Sequence, residues 1–244
     1  MKSDLNIDEV LNKKGILLLK ENPINSDSIT MVLHSRSSFE ELEFFLKKNF
    51  VNDFIFRITV LNGYERLNCP SVIVDSSNYN TPVCINLGFD VLNEFTFKFS
   101  FFFYPSTFKR KFNIFTFFHE LGHTSKYQRK VGKCLSSIHE REAHSDFFGL
   151  YFVLSKFKTV TEKLSFLEGY FKMRKNKYIS PKNVYSSFYY DKIASFFLIN
   201  MENIDFNLDY KIIDTFSFEY ISAIKNNTTK DISFVFLKNE ILIG

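Results

Sequence analysis

Residues 106–123 read STFKRKFNIFTFFHELGH, and their apolar side chains recur every three or four positions. The phenylalanines that follow this spacing are Phe108, Phe112, Phe115 and Phe118. Three to four residues is the period of an amphipathic α-helix, so the spacing predicts a helix from Ser106 to about Tyr127 with a buried phenylalanine face. In the preceding stretch, Phe95–Phe101, phenylalanine alternates with polar residues, which predicts a strand with one buried face.

The predicted helix ends in His119-Glu120-Leu121-Gly122-His123, an H-E-x-x-H motif. Side chains four positions apart project from the same side of a helix, so His119 and His123 can both reach one cation. Glu120 is then placed beside a water molecule near that cation, as a general base. The alternative is a pair of solvated helix histidines with no ligand.

A zinc site needs a third protein ligand, and acidic and histidine residues cluster in the next predicted helix. Ser137 and Glu140 form a capping box, which predicts a helix from there to about Lys156. The candidates at its start are His139, Glu140, Glu142, His144 and Asp146. Because Glu140 is occupied by the capping box, we expect it to be structural.

Glu142 is the first choice as third ligand. Asp146 lies one turn further on the same face and is placed to orient a ligand histidine through its second ring nitrogen. His139 is on nearly the same side and is the second choice, as a ligand or as a catalytic donor to the transition state. We expect His144 to be an ordinary surface or core histidine, and Gly149 to allow close approach to a neighbouring helix. A charged, solvated helix face is the alternative for the whole group.

These motifs resemble those of known zinc peptidases. Glu142-Ala143-His144-Ser145-Asp146 is similar to the Glu-x-x-x-Asp motif of gluzincins, the thermolysin-like class whose third zinc ligand is a Glu on a following helix. More narrowly, Phe112–His123 followed by Glu140–Ala143 and Phe147-Phe148 resembles the ImmA/IrrE family of regulatory zinc peptidases. The resemblance implies a zincin-like fold, a Zn²⁺ cofactor and a regulatory role such as cleaving a transcriptional repressor.

The rest of the chain predicts an α+β fold, in which a small mixed sheet packs on the active-site helix and the C-terminal half is helical. The predicted strands before residue 90 are Ile16–Lys20, Ile29–His34, Asp53–Leu61, Ser71–Asp75 and Pro82–Leu87. The further predicted helices lie between Asn6 and Gly15, from Ser38 to about Asn49, after Thr159 and after Ser180-Pro181. A final pair of strands is predicted at Asp231–Leu237 and Glu240–Ile243.

The absence of a linker-like segment favours one domain. We expect residues 1–244 to form a single zincin-like peptidase domain. Within it, residues 1–105 are rich in strands, residues 106–176 carry the metal-site helices, and residues 177–244 add helices and strands.

Composition excludes several classes of protein. With 244 residues, 45% of them hydrophobic, and a net charge of +4, the chain is neither intrinsically disordered nor a concentrated basic protein. Its most apolar stretch is interrupted by lysines and arginine, so no membrane partner is expected. The three cysteines lack the spacing of a disulfide framework or a thiolate zinc site and are expected to be buried thiols. A charged N-terminus without a signal-like apolar run predicts a cytoplasmic location.

The sequence therefore predicts a zinc-dependent metallopeptidase that cleaves a protein or peptide substrate. Glu120 is its predicted general base, and candidates for a further donor to the oxyanion are His139, Tyr127 and Tyr151. The sequence does not indicate an oligomeric state.

Two other functions are compatible with the same residues. The first is a non-catalytic interaction module in which His139 closes a structural zinc site as fourth ligand. The second is a nucleic-acid-binding protein that uses Lys109-Arg110-Lys111 and Lys126–Lys133. These basic runs are short, so a nucleic acid is not the expected partner and a solvated surface is the preferred interpretation.

Overall fold

In the part of the chain that the structure describes, the fold is α+β, with a small mixed four-stranded sheet and mostly helical structure elsewhere. The computed structural model describes residues 7–12, 15–33, 38–64, 71–73, 81–87, 106–128, 135–177 and 184–226. The strands are β1 (Ile16–Leu19), β2 (Thr30–Leu33), β3 (Ser71–Ile73) and β4 (Val83–Asn86). The helices are α1 (Ile7–Asn12), α2 (Phe39–Asn49), α3 (Phe54–Gly63), α4 (Ser106–Gly122), α5 (Ile138–Leu154), α6 (Val160–Lys177), α7 (Val184–Asn200) and α8 (Tyr210–Asn226). A short 3₁₀ turn spans Lys126–Gln128.

The four strands are ordered β1-β2-β4-β3. β2 and β4 are parallel, and each outer strand pairs antiparallel to its neighbour. Alternate residues of the central strands enter two different hydrophobic clusters. Met31 and Cys84 pack with α2 and α3, whereas Val32 and Ile85 pack in the larger cluster with the remaining helices. The sheet is therefore covered on both faces, as its fully buried central strands require.

The helix predicted from Ser106 to about Tyr127 is α4, which ends earlier, at Gly122, and buries Phe115 and Phe118 as the spacing predicted. It lies against α5, in which every residue from Ala143 to Leu154 is buried. A helix that is buried on all sides must be surrounded by other elements. For α5 these are α4, α7 and α8, which place it at the centre of the helical part.

Glycines allow α4 and α5 to approach closely. A Cβ atom on Gly149 would lie 2.9 Å from the Phe115 ring and 3.1 Å from the His119 backbone nitrogen. A Cβ on Gly122 would lie 3.0 Å from the Ser145 Cα. The expectation that Gly149 permits a close helix contact is confirmed, and the contact is made at the backbone of the first motif histidine.

Several local predictions are confirmed by hydrogen bonds. Capping boxes open α2 at Ser38 and α5 at Ser137. Thr159 and Glu162 exchange the same pair of bonds before α6. The strands at β1, β2, β3 and β4 lie where they were predicted.

Cys84 is a buried free thiol, as expected, and burial raises its pKa to about 12.

Two predictions from the sequence do not match the structure. The segment Asp53–Leu61, predicted as a strand, forms helix α3, because Phe56 and Val60 are one helical turn apart and are buried together. The tertiary contact of the Phe56 ring with Phe50, at 4.8 Å between centroids, overrides the strand preference of its β-branched residues. Helix α8 was not predicted.

Other predictions fall outside the described residues. They are the strands at Phe95–Phe101, Asp231–Leu237 and Glu240–Ile243, the helix start at Ser180-Pro181, and Cys69 and Cys134. Among the helices that the structure describes, none is long and apolar enough to cross a membrane.

Gly149→Ala is expected to destabilise the protein. Because Phe115 is only 2% exposed, its ring cannot easily move aside for the new methyl group. Overpacking of this kind costs about 1–3 kcal/mol, which the better helix propensity of alanine offsets by up to about 1 kcal/mol. Urea unfolding should therefore give a net loss of roughly 1–2 kcal/mol.

The matched control is Gly63→Ala, another helical glycine. Its added Cβ meets only the flexible end of Ile73, at 3.1 Å, so its stability should stay within about 1 kcal/mol of wild type. Equal stability of the Gly149→Ala variant and the wild type would contradict the close-packing interpretation.

Candidate metal centre

The two histidines of the motif and Glu142 come together between α4 and α5. Their ligand atoms all lie within 4.8 Å of one another. The two Nε2 atoms of His119 and His123 are 3.2 Å apart. Glu142 Oε2 lies 3.5 Å from His119 Nε2, and Glu142 Oε1 lies 3.4 Å from His123 Nε2. In the described part of the chain, this is the group of side chains that could hold a metal ion.

These separations suit a zinc ion. Zinc binds imidazole nitrogen and carboxylate oxygen at about 2.0–2.2 Å in tetrahedral geometry, which places neighbouring ligand atoms about 3.3–3.6 Å apart. The two imidazole nitrogens are 3.2 Å apart, and they lie 3.5 and 3.4 Å from different oxygens of the Glu142 carboxylate, which is close to this range. Two imidazoles and one carboxylate are also the donor set of known catalytic zinc sites. The residues present therefore fit the ion that the sequence predicts.

The orientation of His119 is set by Asp146. Its Nδ1 lies 2.8 Å from Asp146 Oδ1, on a side chain that is fully buried. A carboxylate at this position favours a proton on Nδ1, so in the neutral form of His119 the lone pair for a ligand is on Nε2. The structure thus places Asp146 where the sequence predicted it, one turn after Glu142.

The orientation of His123 is set by Gln128, which the sequence did not predict. His123 Nδ1 lies 2.7 Å from Gln128 Oε1. No motif or spacing distinguishes this glutamine from its neighbours in a polar, lysine-rich segment. Its role depends on the 3₁₀ turn at Lys126–Gln128, which returns the chain to the end of α4.

The surroundings of the two histidines favour a single positive charge at neutral pH, and it lies on His119. Burial alone would lower the pKa of His119, but attraction to the Asp146 carboxylate and hydrogen bonds to Asp146 and Glu142 raise it to about 10. Burial and the neighbouring His119 charge lower the pKa of His123 to about 4. Burial would raise the pKa of Glu142, but the two histidines lower it to about 2. At neutral pH His123 is therefore neutral and Glu142 is ionised, the states in which these side chains bind metals, whereas His119 is protonated and must release a proton when a metal binds.

Glu120 is buried beside this cluster, with 6% of its surface exposed. Its carboxylate contributes to the raised pKa of His119, so it adds negative potential at the ligand cluster. Glu140, by contrast, is structural as predicted. It completes the capping box of α5, and its Oε1 lies 3.1 Å from Lys225 Nζ on α8. Burial opposes ionisation of Glu140, but the hydrogen bonds from Lys225 and the backbone lower its pKa.

The structure also places the residues that the sequence offered as a further ligand or as a donor to the oxyanion. His139 is half-buried and lies outside the three-residue ligand cluster. The Tyr151 hydroxyl donates to the carbonyl of Asp205 and accepts from the amide of Leu208, so it is occupied within the core. Tyr127 stacks on Phe218, and its hydroxyl lies 3.3 Å from Thr215 Oγ1. His144 is a fully buried core histidine.

Two lysines of the predicted basic runs have local partners. Lys111 Nζ donates to the Lys156 carbonyl at 2.6 Å and lies 4.8 Å from the centre of the Phe157 ring. Lys126 lies over the Tyr127 ring at 5.0 Å. These contacts are typical of lysines that cover aromatic surface on the outside of a fold.

Zinc stoichiometry tests the ligand assignment. We expect wild type to bind about one equivalent of zinc, and Glu142→Ala to bind it at least about 100-fold more weakly, because it removes one of three ligands. His139→Ala is the matched control and should bind like wild type. Elemental analysis after dialysis, with chelator competition, measures both variants. Full zinc binding by Glu142→Ala would show that Glu142 is not a ligand.

No protein-family model, curated protein or solved structure matches the chain.

Proposed function

We propose that this protein is a zinc-dependent metallopeptidase that hydrolyses peptide bonds of a protein substrate. One observation carries the proposal. The two histidines of H-E-x-x-H place their Nε2 atoms 3.2 Å apart, and a glutamate of the following helix places one carboxylate oxygen 3.5 Å from the first and the other 3.4 Å from the second. The sequence of the motif and the geometry of the cluster support the same chemistry independently.

Each residue has a distinct role in the proposed reaction. His119, His123 and Glu142 would hold the zinc ion, which supplies Lewis-acid activation of a water molecule and of the substrate carbonyl. Glu120 takes the proton of the attacking water and delivers it to the leaving amine. Asp146 keeps His119 in the tautomer that presents Nε2 to the ligand cluster.

The number of ligands favours an enzyme over a structural zinc site. Structural sites are normally closed by four side chains, whereas catalytic sites have three and leave a position for water or substrate. The cluster formed by the described residues contains three, and His139 is not among them. A buried carboxylate at Glu120, next to the first ligand, is a further feature that a structural site does not require.

A relationship to gluzincins, and more narrowly to the ImmA/IrrE family, is part of this proposal. It is supported by the order of the motifs and by Glu142 and Asp146 lying on the helix after H-E-x-x-H. The packing of α4 against β3 and β4 supports a zincin-like arrangement of the sheet and the active-site helix. A regulatory substrate, such as a transcriptional repressor, is the corresponding expectation for the biological role.

Glu120→Gln separates catalysis from metal binding. The amide cannot accept the proton of water, so we expect cleavage to fall by about 10²- to 10⁴-fold while zinc binding remains at about one equivalent. Cleavage can be measured by comparing the new protein N-termini that wild type and Glu120→Gln produce in a cell extract.

Glu43→Gln is the matched control, because this glutamate is half-buried on α2, outside the ligand cluster, and pairs with Lys47. It should cleave like wild type. Two outcomes would count against the enzyme: undiminished cleavage by Glu120→Gln, or zinc-loaded wild type that produces no new N-termini. The second outcome would favour the non-catalytic module.

A further inference from the structure

A chain of polar contacts, part-buried at Gln128 and buried at His144, leads from the candidate metal centre to helix α8. His123 Nδ1 lies 2.7 Å from Gln128 Oε1, and Gln128 Nε2 lies 2.9 Å from His144 Nδ1. On its other side, His144 Nε2 lies 3.2 Å from the Asp214 carbonyl and 3.3 Å from its carboxylate. His144 and Asp214 are both buried, so water does not replace these contacts.

The orientation of the Gln128 amide follows from its partners. Its Nε2 lies 3.2 Å from the carbonyl oxygen of Gly122 and 3.0 Å from that of Arg141. Carbonyl oxygens only accept hydrogen bonds, so this end of the side chain must be the NH₂ group. The other end is therefore the oxygen, which accepts a hydrogen bond from His123 Nδ1. His123 is consequently the Nδ1–H tautomer, and its Nε2 lone pair faces the other ligands.

Helix α8 holds the turn that carries Gln128. The neighbouring Tyr127 stacks on Phe218 with 4.2 Å between ring centroids and 8° between planes. Its hydroxyl lies 3.3 Å from Thr215 Oγ1. Gln128 is thus fixed from two directions, by Tyr127 along the chain and by His144 across the core.

We propose that Gln128 is a positioning residue of the metal centre, and that α8 maintains its position through Tyr127 and His144. Gln128 holds the second histidine ligand in one tautomer and one orientation, as Asp146 does for the first. The inference deepens the proposed function, since it depends on the same metal site. It also assigns a role to a helix that follows both motifs in the sequence.

A purely structural role for Gln128 is the competing explanation. Its NH₂ group links the end of α4 to the first turn of α5 through the carbonyls of Gly122 and Arg141. Loss of this link would destabilise the fold without a specific effect on zinc. The two roles belong to different atoms, because Nε2 makes the structural contacts and Oε1 contacts His123. They can therefore be separated by substitution.

Measuring zinc affinity in the wild type and three variants separates the positioning role of Gln128 from its structural role. Gln128→Met removes both the amide NH₂ and the acceptor oxygen, whereas Gln128→Glu removes the NH₂ but keeps an acceptor for His123 Nδ1. Tyr151→Phe is the control for stability, since it loses buried hydrogen bonds to Asp205 and Leu208 in the same core. Affinity is measured by competition with a chromophoric chelator, and folding by thermal unfolding of the zinc-free proteins.

We expect Gln128→Met to bind zinc about 10- to 100-fold more weakly than wild type, the usual effect of losing a partner of a ligand histidine. Gln128→Glu should bind zinc more tightly than Gln128→Met, although both melt at a lower temperature. Tyr151→Phe should also melt lower but bind zinc like wild type. Unchanged affinity in Gln128→Met, or equal weakening in the Met and Glu variants, would overturn the positioning role.

A second measurement examines the tautomer directly in zinc-free protein. Long-range ¹H–¹⁵N spectra at neutral pH should show His123 protonated at Nδ1 in wild type and a mixture of tautomers in Gln128→Met. The same tautomer population in both proteins would overturn the inference. This readout does not use zinc, so it distinguishes failure of the Gln128 contact from failure of the proposed function, which would appear as wild type that binds no zinc.

The contribution of α8 is tested by Phe218→Leu, which removes the aromatic surface under Tyr127 and leaves every proposed ligand in place. We expect zinc binding to weaken in the same direction as in Gln128→Met, by a smaller factor. Wild-type affinity in this variant would limit the positioning role to Gln128 itself and remove α8 from it.

Discussion

The candidate site depends on how closely helices α4 and α5 can pack. His119 and His123 are on one helix and Glu142 is on the other, so the separation of the helix axes sets the distance between the ligands. Gly122 and Gly149 remove the side chains that would keep the helices apart, and Gly149 lies directly against the backbone of His119. The phenylalanines of α4 fill the remaining space against the buried length of α5. Hydrophobic packing thereby sets the distance between the histidines and the glutamate.

Burial explains why so many polar groups accompany three ligands. Imidazoles and carboxylates removed from water need partners, and an unpaired buried charge is costly. Asp146 provides a partner for His119, Gln128 provides one for His123, and the histidines themselves stabilise the ionised Glu142. These partners also prevent the ligands from adopting other rotamers. The contacts that offset the cost of burying these groups therefore also hold the ligand atoms in position to bind a cation.

The part of the site that lies on two regular helices could be predicted from the sequence. Helical period placed His119, His123, Glu142 and Asp146 on facing surfaces, and the structure brings these four side chains together. Gln128 could not be predicted, because it is placed by a 3₁₀ turn and by α8, which are set by tertiary contacts and not by local period. Helix α3 was wrongly predicted as a strand for the same reason. Its β-branched residues favour a strand, but the tertiary packing of Phe56 and Val60 favours a helix. Capping boxes, which are local, were predicted correctly at Ser38 and Ser137.

Because the Lys126–Gln128 turn is anchored on α8, the smallest functional unit is larger than the two helices that carry the ligands. The H-E-x-x-H and Glu-x-x-x-Asp motifs together span fewer than 30 residues. A smaller protein made of α4 and α5 alone would therefore contain every proposed ligand. Such a protein would lack Phe218, Thr215 and Asp214, and with them the surface on which Tyr127 and His144 rest. A designer who transplants the site to another scaffold must therefore carry over a third helix that contributes no ligand.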